Sequence, residues 1–121
     1  MELIVKLSWA LLALIHATPA LAFFKPSLVE KLYGVAPAGE TGILLVHRGA
    51  LFFAVFIAAF IALFDPASRR LASIVVAISV IGFLIVYSMQ GMPEGSLTKI
   101  AIADLVALAP LLIVSVNAWR S

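Results

Sequence analysis

The side chains able to do chemistry are few, and the chain sets them in places where such groups are costly. His16, His47, Arg48 and Asp104 interrupt otherwise apolar stretches, while Glu40, Tyr87 and Gln90 stand near the ends of such stretches. Ionisable groups inside apolar segments pair with one another, and by default they mark a ligand or proton site. Arg48 and Asp104 are the expected ion pair. His16 and His47, two imidazoles on neighbouring helices at similar depth, are the minimum set for bis-histidine ligation of a b-type haem. A dedicated zinc centre wants three or four protein ligands, and only His16, His47, Asp104 and Glu40 are on offer, so no metal site is assigned. Ser8, Ser79 and Ser88 lack the glycines of a nucleophile elbow. Gly91 and Gly95 around Pro93 make a turn, not a phosphate cradle.

The surroundings of these residues decide the class. Of 121 residues, 64% are hydrophobic and 12% are charged, against roughly 45–50% and about 25% in soluble domains. With a mean hydropathy of +1.21, a chain this short has more apolar surface than it can hide from water, and most of it must face lipid. A formal net charge of +2 and no cationic run longer than Arg69-Arg70 exclude a nucleic-acid partner. The absence of cysteine excludes disulfides, thiolate metal centres and thiol nucleophiles.

About twenty apolar residues cross a hydrocarbon core as a helix, and four stretches qualify, at about residues 2–24, 41–64, 67–89 and 96–119. Asp65 before Pro66 is the order of a capping side chain followed by a first-turn proline. Ser96 can cap the fourth span, and Pro110 is expected to bend it. Residues 27–33 read as a short helix with a Ser27/Glu30 capping box and a Gly34 stop, laying Leu28, Val29, Leu32 and Tyr33 into the bilayer interface; a solvated loop is the alternative. Pro19-Ala20-Leu21-Ala22 has the small residues of a leader cleavage site, but the first span is read as uncleaved. Trp9, Trp119, Tyr33 and Tyr87 read as interface anchors or packing residues. Four crossings put both termini and the Asp65–Arg70 turn on one side, and the adjacent arginines of that short turn favour the cytoplasm for it.

Membrane helices meet through small residues and polar contacts. Ala13, His16 and Ala20 share a face of span one, His47 heads a stripe of Ala50, Ala54, Ala58 and Ala62 in span two, Ser79, Gly82, Val86 and Gln90 align in span three, and Ala101, Asp104, Ala107, Leu111 and Ser115 in span four. The expected fold is an all-α, integral membrane, antiparallel four-helix bundle with a short interfacial helix between spans one and two. At about 1.5 Å per residue, His16 and Asp104 fall about 12 Å below the non-cytoplasmic surface and His47 and Arg48 about 9–10 Å below it. Tyr87 and Gln90 stand at the mouth of that region and Glu40 above it. Two readings follow: a buried Arg48–Asp104 bridge that only fixes how spans two and four meet, or a half-membrane pocket for the polar head of an amphiphile, a quinone among them. A non-catalytic subunit of a larger membrane complex and a haem b carrier are further readings. An oligomer is compatible with all of them, and whether the chain is an enzyme is left open.

The order of features, from Lys31-Leu32-Tyr33-Gly34-Val35 after span one, through His47-Arg48-Gly49 early in span two and the arginine turn, to Asp104 in span four, resembles the DoxX-like group of small bacterial four-helix membrane proteins across nearly the whole chain. The resemblance implies a bundle in the bacterial inner membrane, with Arg48, Gly49 and Asp104 as interior positions. The name-giving proteins accompany a thiosulfate:quinone oxidoreductase, and most relatives have no assigned activity. Without cysteine there is no thiol for sulfur-carrier chemistry, so thiosulfate oxidation does not transfer.

Overall fold

The structure, a computed structural model, describes residues 1–120. Its helices are α1 (Glu2–Phe24), α2 (Leu28–Tyr33), α3 (Gly39–Phe64), α4 (Arg69–Met89) and α5 (Ser96–Arg120), with a 3₁₀ turn at Pro66–Ser68 and no strand among the described residues. Four spans, with Pro66–Met89 counted as one, are long and apolar enough to cross a bilayer. Within hydrocarbon every backbone N–H and C=O must find its partner inside the protein, which a helix achieves along its own length. The chain is a multi-pass, all-α membrane protein, an antiparallel bundle in the cyclic order α1, α3, α4, α5.

Local chemistry explains the ends. The Ala67 N–H donates to Asp65 Oδ1 at 3.1 Å and the Ser68 hydroxyl to Oδ2 at 2.7 Å, so Asp65 and Pro66 start the third span as their order predicts. The fourth begins differently from expectation: the Gly95 N–H donates to Thr98 Oγ1 at 3.2 Å. α5 runs unbroken through Pro110, and α1 carries a second internal proline, Pro19. Gly34, at φ 70°, stops α2 in the left-handed conformation that glycine adopts without strain. The Ser27/Glu30 capping box is not made, and the first N–H groups of α2 bond to the Lys25 and Pro26 carbonyls instead. The apolar face of α2 is turned partly onto the bundle, with Leu28, Leu32 and Tyr33 half-buried. Val29 is fully buried and α2 packs on α1, α3 and α5; covering the end of the bundle removes the same side chains from water and also closes the interior.

Arg69 holds the opposite end. It is 4% exposed; its Nε donates to the Ala62 carbonyl at 2.8 Å, one terminal nitrogen to the Leu63 carbonyl at 3.3 Å, and the other forms an ion pair with Glu2 at 2.8 Å. The final carbonyls of α3 have no helical partners, and one guanidinium satisfies two of them while tethering α1 to α4. Arg70 Nε does the same for the Ala118 carbonyl of α5 at 3.0 Å, its guanidinium 5.2 Å from the Trp119 ring centre. The Trp119 indole donates to Ser73 Oγ at 3.0 Å. Trp9 is no interface anchor: it is fully buried among Val5, Leu12, Ala59, Ala62, Ala72, Val76 and Val114.

That apolar core lies off centre. It takes in residues of α1 up to Ile15, of α3 from Val55, of α4 up to Leu84 and of α5 from Ala107, and so fills mainly the half of the bundle that holds the termini. α1 and α3 share the most extensive contact, and at Gly49 the two backbones approach closely. A Cβ on Gly49 would lie 2.7 Å from the Phe23 backbone nitrogen and 3.2 Å from the Pro19 carbonyl oxygen. The small residue lets two backbones touch, the main source of cohesion between helices in lipid. By contrast a Cβ on Gly82 meets nothing within 4 Å. Gly49→Ala is therefore expected to lower stability by about 1–3 kcal/mol, while Gly82→Ala is neutral or stabilising by up to about 1 kcal/mol. Thermal melts of the two variants in the same detergent check this, and equal melting temperatures would remove the close contact from the account.

Candidate functional site

Gly49 also fixes which residues of α3 look inward. Successive residues turn by about 100°, so a helix held with Gly49 against α1 directs Arg48 toward the interior and His47, a further step back, toward the outside. The structure has this arrangement. Arg48 is half-buried and His47 is exposed. The buried residues of α3 are Gly42, Gly49, Ala59 and Ala62; of the expected alanine stripe Ala62 is among them and Ala58 packs on the core, while Ala54 is exposed.

Beyond the apolar core, under α2, lies a cavity of about 280 Å³. α1 contributes Ile15, His16, Thr18 and Pro19, α2 contributes Leu32 and Tyr33, α3 contributes Arg48 and Phe52, and α5 contributes Lys99, Ile100, Ala103 and Asp104. His16, Arg48 and Asp104 thus share one cavity, as their depths predict. A second, more open cavity of about 430 Å³ lies between α3 and α4; it shares Tyr33 and Arg48 with the first and adds Ser79 and Phe83.

His16 is a wall of the site and its ring is fully engaged. It is 1% exposed; Nδ1 lies 2.8 Å from the Leu12 carbonyl and Nε2 2.8 Å from Ser79 Oγ. A carbonyl only accepts, so Nδ1 carries the proton, and Nε2 shares a hydrogen bond with the Ser79 hydroxyl. This bond runs across the diagonal of the bundle, from α1 to α4. Phe52 packs against the imidazole with ring centres 5.6 Å apart.

Arg48 sits in an aromatic box. Its guanidinium carbon lies 4.5 Å from the Phe52 ring centre, 5.5 Å from that of Phe83 and 5.9 Å from that of Tyr33. Such faces stabilise a cation where water is scarce. Nε donates to the Tyr33 hydroxyl at 3.3 Å. The expected Arg48–Asp104 bridge is not formed: among the described residues the ion pair is Glu2–Arg69. The stacking on Phe52 holds the guanidinium on its own side, and the carboxylate of Asp104, 8% exposed, faces it across the cavity.

The other expected residues fall elsewhere. Glu40 and Gln90 are exposed at the start of α3 and the end of α4. The Tyr87 hydroxyl donates to the Pro93 carbonyl at 2.7 Å, closing the loop before α5, and its ring stacks on Phe83 at 5.7 Å; it steadies the aromatic box from behind. The haem reading does not fit, because both His16 nitrogens are bonded within the protein while His47 turns outward. No group of three or more His, Asp or Glu residues is placed to hold a metal ion among the described residues. Tyr33, Phe52, Ser79 and Lys99 were not picked out as site residues from the sequence. The signal for Phe52 is its place one turn after Arg48, and for Lys99 its place one turn before Ala103 on the cavity side of α5.

No family model, no curated protein and no solved structure matches this chain. The fold and the cavity define its class: a small multi-pass membrane bundle with charged groups facing an internal space.

Ser79→Ala leaves a buried imidazole nitrogen without a partner, at a cost of about 1–3 kcal/mol. In a double-mutant cycle, adding His16→Leu should restore part of that loss, so the two changes together cost less than their sum. Strict additivity of the melting free energies would show that the diagonal bond contributes nothing.

Proposed function

We propose that this protein binds the polar head of an amphiphile, a quinone-like molecule or a lipid, in the cavity bounded by His16, Arg48 and Asp104, while the tail stays among acyl chains. One observation carries the reading. Three helices bring a cation, a carboxylate and a buried imidazole to one space of about 280 Å³ whose remaining walls are mostly apolar. This combination of an apolar cleft and a few convergent polar groups is that of a ligand site, and intramembrane charges kept without a direct bridge point the same way. The volume is near the lower end for drug-sized ligands, so it suits a head group and not a whole lipid.

The same proposal places the chain among DoxX-like proteins of the bacterial inner membrane, on the His47-Arg48-Gly49 step and Asp104. Both termini and the Asp65 turn are assigned to the cytoplasm, on Lys6, Arg70 and Arg120 beside the buried Arg69. A second reading, a subunit of a larger membrane complex, is favoured by the outer surface of α3. There an aromatic column runs from the half-buried Phe53 and Phe56 to the exposed Phe60 and Phe64, and His47 is exposed on the same helix.

Two measurements test these assignments. Ala103→Phe fills the cavity from a half-buried position. Purified from native membranes, it should keep the wild-type circular dichroism yet lose the amphiphile that mass spectrometry finds on the wild type; retention of that molecule would refute the site. Because the chain has no cysteine, single substitutions report topology cleanly. Ala36→Cys should react with a membrane-impermeant maleimide in intact cells and Ala67→Cys only after lysis; the reverse pattern would invert the orientation.

A further inference from the structure

Two opposite charges in the cavity lack a direct bond to each other. Arg48 spends only its Nε on a hydrogen bond, the long one to Tyr33, and its terminal nitrogens have no partner among the described residues. The Asp104 carboxylate makes no hydrogen bond or ion pair among the described residues. They border the same space, on the diagonal helices α3 and α5, and no nitrogen–oxygen distance between them falls within 4.0 Å. The two attract each other across the gap without touching, and in a poorly solvated interior a charge without a direct polar partner is disfavoured. Aromatic stacking keeps the guanidinium from moving over to the carboxylate. An occupant that satisfies both must therefore carry negative charge on its Arg48 side and positive charge on its Asp104 side.

The surroundings specify the rest. Lys99 borders the same cavity, and the adjoining space of about 290 Å³ between α2 and the start of α5 is bordered by both Lys31 and Lys99. Cations outnumber carboxylates along this path, which suits a phosphate on the anionic side. A carboxylate with free lone pairs suits a positive group that still has N–H bonds to donate. Resting on the amphiphile-head reading above, we propose that the occupant is the phosphoethanolamine head of a membrane lipid. Its phosphate is bound by Arg48 and Lys99 and its primary ammonium by Asp104. The exposed Thr18 and Lys99 place the opening between α1 and α5, so the glycerol and acyl chains leave sideways into the bilayer.

The test is competitive native mass spectrometry of the delipidated full-length chain in micelles. It is offered equal amounts of phosphatidylethanolamine, phosphatidylcholine, phosphatidylglycerol and a ubiquinone, with soluble phosphoethanolamine in a separate titration. The ethanolamine lipid should be retained at least about tenfold over the choline lipid, whose quaternary nitrogen has no N–H to donate, and over the glycerol lipid, which has no ammonium. Asp104→Asn, nearly isosteric, should bring ethanolamine retention down to the choline level without weakening the glycerol lipid. Equal retention of ethanolamine and choline lipids, indifference to Asp104→Asn, or binding of the soluble head alone would overturn the proposal. Preference for the quinone or the glycerol lipid, displaced by Ala103→Phe, would overturn it while leaving an amphiphile site. Failure of every amphiphile to bind would overturn both. The comparison among lipids uses the wild-type chain, so a variant that fails to fold does not decide it.

Discussion

The contact of α1 with α3 at Gly49 sets the rotation of the helix that carries most of the charged candidates. With no side chain at that position, the α3 backbone rests on the backbone of α1 between Pro19 and Phe23. Once one residue of a helix is pinned, the azimuth of every other is settled by the turn of about 100° per residue. Arg48 then faces the cavity, Phe52 follows one turn later beneath the guanidinium, and His47 is left on the lipid side. The site is a consequence of a packing register. The tight contact also explains why two neighbours in sequence, an imidazole and a guanidinium, have unrelated surroundings.

The two halves of the bundle are built on different terms. Around the termini, side chains of Val, Leu, Ala and one Trp fill the space between the four helices. Toward α2 the interior opens into the cavities, and polar contacts take over from apolar packing: His16 to Ser79 across one diagonal, Arg48 to Tyr33 at the roof. The boundary runs close to the level of His16, Phe52, Ser79 and Asp104. A buried polar bond at such a boundary keeps α1 and α4 in register where close packing no longer does.

Much of this was legible in the sequence. The four spans and the Asp65-Pro66 start followed from hydropathy and capping chemistry, because in a membrane those local rules face little competition. The inward faces of α1 and α5 were legible too, since Ala13, His16 and Ala20, and Ala101, Asp104 and Ala107, recur at helical spacing and are all buried. α3 misled in part because alanine also tolerates the lipid side: of the stripe, Ala62 is buried and Ala58 packs on the core while Ala54 is exposed, and it is the single Gly49 that marks the close contact. The absence of an Arg48–Asp104 bridge had no local signal, since it depends on Phe52 and Phe83 competing for the guanidinium. Nor did sequence charge counting reveal that Arg69, read as a topology signal, would be consumed by the carbonyls that end α3.

The arginine clasp has a mechanical corollary. With α1, α3 and α4 joined through Arg69, and α4 joined to α5 through Arg70 and Trp119, the terminal end of the bundle cannot splay without breaking several charge-assisted bonds at once. At the far end the guanidinium bond is the single long one from Arg48 to Tyr33 of the six-residue α2, beside the backbone contact of α1 with α3 at Gly49. The end beside the Asp65 turn is thus clasped across all four helices, whereas beneath α2 it is α1 and α3 that are clamped backbone to backbone.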